Sequence, residues 1–418
     1  MLGGENMKAV GVVVEYNPFH NGHLFHLEES RRVTEGDVVV AVMSGNFLQR
    51  GEPAIVSKWQ RTKMALASGV DIVLELPYAY STQKAEIFAF GSISILQAIG
   101  VEEVCFGSEA GNIDLFHELY EFINKNEQHF NEQIQFYMSQ GNSYPKATSL
   151  AFSSVKGKQQ LLDLSQPNNI LGYHYVEAIH RLGNKMKGKT IQRKSAQYHD
   201  ESFASETIAS ATSIRKAIFN KSANQKGTID KVMPKSTEDL LTDYETSNHT
   251  LHDWELYFPM LKYQILSSTE AELAEIYEGE EGLEFRLKRF ISSANSFAEF
   301  MHLIKTKRYT WNRLQRYCLH ILTNTKKADM KWANAKNSPP YLRLLGMSAK
   351  GQAYLNQRKK LFDIPLVTKV NSFHHPILEL DKKVANIYAL ALPNRIQNDR
   401  LREEYTQSPI RFSEELKK

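Results

Sequence analysis

The chain reads as an α/β protein: a doubly wound parallel sheet, Rossmann-like, followed by a mainly α-helical region. Three observations predict this. Short apolar β-branched runs alternate with helix-like segments through the first hundred residues. A loose polar stretch then appears near the middle of the chain. Beyond it the apolar residues recur with helical spacing. A length of 418 residues accommodates two or three domains.

The strands come first in the argument. Ala9–Tyr16 (AVGVVVEY) and Asp37–Met43 (DVVVAVM) are apolar runs, and Asp71–Leu76 (DIVLEL) and Glu103–Phe106 (EVCF) are shorter ones. They are near-continuous rather than alternating, as strands buried on both faces are. Leu24–Arg32, Ser57–Ser68 and Lys84–Ile99 lie between them and read as helices. Asn168–Leu182 is a further helix with Asn168 placed to cap it, and Lys189–Lys194 a further strand. Thr212–Phe219 is a helix opening behind Ser210. From Lys235 to Asp253 the pattern loosens, which divides the chain into domains 1–245 and 246–418. Trp254–Ser267, Glu270–Tyr277, Glu284–Ala294 and Trp311–Leu322 then read as amphipathic helices.

Composition excludes several classes. Apolar residues are 42% and charged residues 23%, ordinary for a protein with a packed core. The sequence has no run of about 18 apolar residues, the length needed to span a bilayer as a helix. Met1–Asn6 is too short and polar for a signal peptide, and Met7 is a second candidate start. Cys105 and Cys318 are the two cysteines, far apart, so no disulfide framework or Cys-rich zinc site is expected; a reducing, cytoplasmic setting fits. The net charge of +4 divides into −4 over 1–245 and +8 over 246–418. Residues 305–360 hold fourteen Lys or Arg against Asp329 alone, interleaved with Tyr309, Trp311, Tyr317, Trp332, Tyr341 and Tyr354. Cations on phosphates and rings on unpaired bases would suit a polyanion such as RNA, and a solvated helical face with core aromatics is the plainer alternative.

The sharpest feature is Glu15-Tyr16-Asn17-Pro18-Phe19-His20-Asn21-Gly22-His23-Leu24, which follows the first strand and opens a helix. Ligands of open α/β sheets bind beyond the carboxyl ends of strands, and a helix amino terminus suits phosphate. His20 and His23, three apart, can face one anion across Gly22. They also fit a metal pair or incidental loop histidines, but the order strand, glycine, helix favours a nucleotide phosphate. Ser210-Ala211-Thr212-Ser213-Ile214-Arg215 sits at another helix start, where hydroxyls cap or contact phosphate and Arg215 adds a cation.

The pair resembles the nucleotidylyltransferase superfamily, with an HxGH motif at His20–His23 and a Ser-Ser-Thr-x-Ile-Arg-like motif at 208–215, where Ala211 replaces a serine. More closely, Val12–His26, Ser44–Pro53 (SGNFLQRGEP), Asp71–Pro77, Phe106–Glu109, Pro167–Leu171 and Lys305–Leu314 (KTKRYTWNRL) resemble the bacterial tRNA(Met) cytidine acetate ligase family across nearly the whole chain. That resemblance implies a nucleotidylyltransferase-like domain at 1–245 and a basic, helical tRNA-binding domain at 246–418. It implies ATP with Mg²⁺ and acetate as co-substrates, elongator tRNA(Met) as partner, and N4-acetylcytidine as product. Its ATP-contacting residues map to Val13, Val14, Glu15, Tyr16, Asn17, Pro18, Phe19, His20, Asn21, Gly22, His23, Leu24, Phe25 and His26, with Gly107, Asn168, Arg193 and Lys194. His20, His23 and Arg215 are the expected catalytic groups. Gln49 and Arg50 are expected along the approach of acetate or RNA. Lys305, Lys307, Arg308, Arg313 and Arg316 are the expected RNA contacts. Two rivals remain: a small-molecule adenylyl- or cytidylyltransferase whose helical part serves oligomerisation, and a non-catalytic RNA-binding protein.

Overall fold

β1 (Ala9–Val14) and β2 (Val38–Ser44) are buried along almost their whole lengths. They pair in parallel, Ala9 with Val38 through Val14 with Met43. β3 (Ile72–Leu76) joins β2, β4 (Glu103–Ser108) joins the other edge of β1, and β5 (Lys187–Gln192) joins β4, all in parallel. In this computed structural model, which describes residues 7–157, 159, 161–193, 209–220, 229–280 and 282–413, β2 feeds two cores. Val38, Val40 and Val42 pack into one, and Val39, Ala41 and Met43 into the other. A two-residue period with apolar groups on both sides is the mark of a sheet covered on both faces.

The order β5-β4-β1-β2-β3 reverses between β1 and β4. A crevice opens beyond the carboxyl ends of strands at such a reversal. There β1 runs into residues 15–26, and β4 ends on Gly107 and Ser108. The helices α1 (Asn21–Thr34), α2 (Lys58–Ala67), α4 (Ala85–Ala98), α8 (Pro167–Arg181) and α9 (Ala211–Asn220) match the sequence expectation, with a single turn, α3 (Tyr78–Ser81), after β3. Between β4 and α8 the chain forms three helices that the apolar pattern did not indicate: α5 (Asp114–Lys125), α6 (Glu127–Ser139) and α7 (Tyr144–Lys156).

The later half is mainly helical, yet it also completes the sheet. β6 (Leu342–Ser348) runs antiparallel beside β3, and β7 (Leu366–Val367) and β8 (Ile410–Phe412) pair with β6 in parallel. Among the described residues the sheet is therefore mixed and eight-stranded, with its parallel part on the β5 side. Lys235–Asn248, read above as loose polar chain, is a helix. Its buried residues Thr237, Leu241, Tyr244 and Asn248 form one narrow stripe, and Gln60 of α2 donates to the Leu240 carbonyl at 2.7 Å. Among the described residues no helix is long and apolar enough to cross a membrane. Cys105 and Cys318 are buried free thiols.

Lys58 of α2 fastens the halves together. Its buried ammonium lies 2.8 Å from Glu75 of β3 and 2.8 Å from Glu404 in the helix Asn394–Thr406. Beside it, Asp381 accepts from the Tyr78 amide at 2.8 Å and from the Tyr341 hydroxyl at 2.5 Å. Removing one partner of a buried ion network strands the remaining charges. Lys58→Met should therefore lower stability by about 3–5 kcal/mol, read as a fall in the urea midpoint; an unchanged midpoint would show that the two carboxylates are accommodated without the lysine.

Candidate active site

The turn after β1 is held from several sides. Tyr16 has a left-handed backbone, φ 49°, which costs a non-glycine residue about 1 kcal/mol or more. Asn17 offsets this: its side-chain oxygen accepts from the Ile55 amide at 2.7 Å, and its carbonyl accepts from Arg215 at 2.9 Å. Phe19 is fully buried against Tyr16 and His23. Thus the chain arrives at His20 in a fixed direction.

His20 is the N-cap of α1, and its Nδ1 accepts from the Gly22 amide at 3.0 Å. The neutral ring then carries its proton on Nε2. A Cβ on residue 22 would stand 2.9 Å from the His20 ring. Glycine there makes room for the imidazole, rather than only for a ligand. His20 and His23 stack with ring centres 3.7 Å apart. Burial lowers the pKa of His20 to about 3, helped by Arg193 and Arg215. It lowers His23 well below the usual value, and His26 to about 4. All three imidazoles are neutral at pH 7. His23 Nδ1 and His26 Nε2 are buried without a hydrogen-bond partner among the described residues.

The second motif meets the first. Ser210 caps α9 by accepting from the Ser213 amide at 3.1 Å. Arg215 reaches from α9 to the Asn17 carbonyl and to Glu52, both at 2.9 Å. Two of its five N–H donors are used in this way. A third helix start, that of α8, is already neutralised. Glu109 accepts from the Asn168 side chain at 2.6 Å and from the Asn169 amide at 2.9 Å. Asn168 is therefore not the cap; Gln166 holds that position, and Asn168 links Glu109 to Arg193, whose guanidinium donates to it at 3.2 Å. The amino termini of α1 and α9 remain for an anion.

These groups line one cavity of about 880 Å³. It is bordered by Val13, Val14, Glu15, Tyr16, Asn17, His20, Gly22, His23, Phe25, His26, Gly107, Asn168, Arg193 and Arg215, and also by Gln49 and Arg50. Gly107 lies close under Arg193, with 3.3 Å between a built Cβ and Arg193 Cγ, so the glycine lets the arginine stem pack on the end of β4. Pro18, Phe19, Asn21 and Leu24 do not border it. They support the turn: Asn21 donates to the Lys231 carbonyl, and Leu24 packs on the core beneath α1. Lys194 and Ile208, the first residue of the second motif, lie outside the described residues. Glu52 and Glu109 had no assigned part in the sequence reading, although both sit inside segments that carried the resemblance. Arg61, which anchors the site from below, gave no signal at all.

The basic stretch divides in two. Lys305, Lys307 and Arg308 are exposed, and Arg313 is half-buried beside Glu280. Arg316 is buried and donates to Glu278 at 2.8 Å, so the expectation of an RNA contact there is corrected: its charge is spent inside the protein. Arg343 is likewise buried. Tyr309, Tyr317, Tyr341 and Tyr354 are core residues, and the plainer reading of those aromatics holds; Trp332 is exposed and Trp311 partly so. Asn312 and Lys336 reach the cavity itself.

Comparison with known proteins places the chain. A family model described as HIGH Nucleotidyl Transferase matches residues 7–404. The tRNA(Met) cytidine acetate ligase of Halalkalibacterium halodurans is 50% identical over 97% of this chain and 98% of its own length. That of Bacillus subtilis is 50% identical over 98% of each. The crystal structure of Thermotoga maritima TmcAL superimposes with a TM-score of 0.89 at 31% identity, covering 97% of this chain and all of that one. A second crystal form of that protein, bound with α-thio ATP, gives a TM-score of 0.88. The chain belongs to the tRNA(Met) cytidine acetate ligase family, within the HIGH nucleotidyl transferases.

Proposed function

We propose that this chain is an ATP-dependent acetate ligase acting on the wobble cytidine of elongator tRNA(Met). An oxygen of acetate attacks the α-phosphorus of ATP, and pyrophosphate departs. The N4 amine of the cytidine then attacks the acetyl carbon, AMP departs, and N4-acetylcytidine is formed. One observation carries the reading. A single cavity runs from the stacked histidines to Asn312 and Lys336, which belong to the basic later half. An enzyme that activates a small acid on ATP and delivers it to RNA needs that continuity; a small-molecule nucleotidylyltransferase does not. The names carried by the full-length relatives support the same reading, and the α-thio ATP held by the Thermotoga maritima protein supports ATP as the nucleotide.

The chemistry assigns roles. Acyl activation at phosphorus needs positioning and charge stabilisation more than a protein nucleophile. The Nε2–H of His20, the buried His23 and the amide ends of α1 and α9 are set to receive the charge that grows on the phosphates. Arg215 fixes the β1 turn and offers its remaining donors to the same anion. Gly107, Asn168 and Arg193 are assigned to the adenosine side, and Lys194, by resemblance an ATP contact, to the phosphates. Among the described residues no cluster of three or more metal-ligating groups exists. Glu15 and Glu52 do border the cavity, and Mg²⁺ delivered on a triphosphate needs only one or two carboxylates. When bound there it would neutralise charge on the departing pyrophosphate.

Two outcomes test these assignments. His23→Ala should slow acetate-dependent ATP–pyrophosphate exchange by about 10²–10³-fold, the range for losing one charge-stabilising donor, while the affinity for tRNA is kept. Equal exchange in the variant and the parent would remove His23 from the chemistry. Neutralising Lys307, Arg308 and Arg313 together should weaken tRNA binding and flatten its salt dependence by about 0.7 per lost contact, with exchange unchanged. An undiminished affinity would place the RNA on another face.

A further inference from the structure

The cavity continues past the histidines into a chamber that the assignments above leave without a role. Its walls are Phe88 of α4, Tyr144 at the start of α7 and Tyr173 of α8. Phe88 and Tyr173 are buried, whereas Tyr144 is 52% exposed. Three charges stand at its edge. Glu86 lies between Lys84, at 3.4 Å, and Lys336, with which it makes a close ion pair. Burial pushes the Glu86 carboxyl up, but the Lys336 and Lys84 ammoniums outweigh it and hold the group below the usual carboxylate range. Glu86 is therefore ionised at neutral pH.

The chamber is tied to both substrates' sides. Inward, the Gln49 amide donates to Glu15 at 2.8 Å, and its side chain donates to the Gln83 carbonyl at 2.6 Å, immediately before Lys84. This fixes the start of α4 to the end of β1. Outward, Asn312, which also lines the cavity, lies within the basic run, and Lys336 comes from the later half. A glutamate in the first turn of a helix has a plain role, complementing the dipole. That role requires neither aromatic walls nor a lysine brought from 250 residues away. Lys336 holds a left-handed backbone, φ 54°, a conformation non-glycine residues rarely adopt.

An unstacked cytosine offers an amine at N4 beside acceptors at N3 and O2. Carboxylates accept from cytosine N4, and splayed bases stack on aromatic rings. We propose that this chamber is the acceptor-base subsite: the wobble cytosine stacks on Tyr144, donates its N4 amine to Glu86, and accepts from Lys336 at O2 or N3. The proposal rests on the acetate-ligase reading. In the transfer step N4 bonds to the acetyl carbon while the bond from that carbon to the AMP oxygen breaks. AMP leaves with the electron pair, and Glu86 takes the proton that N4 gives up. Uracil carries a carbonyl where cytosine carries the amine, and the carboxylate repels it. The same residue would thus both orient the nucleophile and select the base.

The test uses Glu86→Gln in the full chain with two readouts: acetate-dependent ATP–pyrophosphate exchange without RNA, and single-turnover acetyl transfer to unmodified elongator tRNA(Met). Exchange should match the parent, which also shows the fold to be intact, while transfer slows about 10²-fold or more, as loss of a general base does. Lys336→Met, with Glu86 retained, should lower transfer less and leave exchange alone. Transfer by Glu86→Gln at the parental rate overturns the subsite. Loss of exchange together with transfer also overturns it, by placing Glu86 in the activation step. A parent that shows no exchange at all defeats the ligase reading, and the subsite with it, before any variant is made.

Discussion

The site hangs on one buried cation. Arg61 in α2 is fully inaccessible, and its guanidinium donates to the carbonyls of Glu15 at 2.7 Å, Ser44 at 3.0 Å and Val56 at 3.3 Å, and makes a very short contact with that of Gly45. Burial lowers its pKa to about 10, which still leaves it charged at neutral pH. A buried charge is tolerable only when hydrogen-bonded, and carbonyls at the ends of strands need donors. Arg61 meets both needs in one place. It thereby locks the carboxyl ends of β1 and β2 together, and everything functional leaves from those ends. Glu15 takes the Gln49 amide, Asn17 takes the Ile55 amide and Arg215, and α1 begins at Asn21. The geometry of the histidines is thus set by a residue that touches neither of them.

Burial also decides the charge state of the histidines. With His20 near 3 and His26 near 4, no imidazole carries charge before an anion arrives. Under the proposed reaction a triphosphate would stabilise the protonated forms and so raise these values. The interaction therefore strengthens as negative charge accumulates on the phosphates, and is weakest in the free protein. Groups that respond in this way favour the transition state over the ground state, the requirement for a rate effect rather than tighter binding alone. Histidines already charged in the free site would bind ATP and its products alike.

The motif from Glu15 to His23 was legible because its meaning is local: strand, turn, glycine and helix follow in one short segment. The strands β1 to β4 were legible because a β-branched run buried on both faces resembles little else. What escaped depends on partners far away in the chain. β6 is a short run interrupted by Arg343, whose buried guanidinium lies over Trp59 and 3.8 Å from Glu404, a residue far along the chain. Asn168 resembles a cap, but Glu109, 59 residues earlier, does the capping. Arg316 counts as a surface cation until Glu278 is found beside it. Composition gives the sign of a charge and not its partner. Lys235–Asn248 failed for a related reason, since four buried positions among fourteen make a stripe too narrow to stand out from a polar background.

A mixed anhydride of acetate and AMP hydrolyses if water reaches it, so the two half-reactions gain from sharing one enclosure. The walls beyond the histidines supply one: Phe88, Phe130, Ile134 and Leu171 line the cavity around the polar groups of Glu86 and Lys336. An apolar lining both lowers the water content and strengthens the few charges left inside. Under the proposed reaction RNA would enter at the mouth of the cavity, on the side of the exposed Tyr144. A base filling that mouth would displace water at the moment the acyl group is transferred. The substrate would then complete the barrier itself, and the basic exterior together with the apolar interior would serve one requirement: to keep the activated acetyl group from any nucleophile except the amine for which it was made.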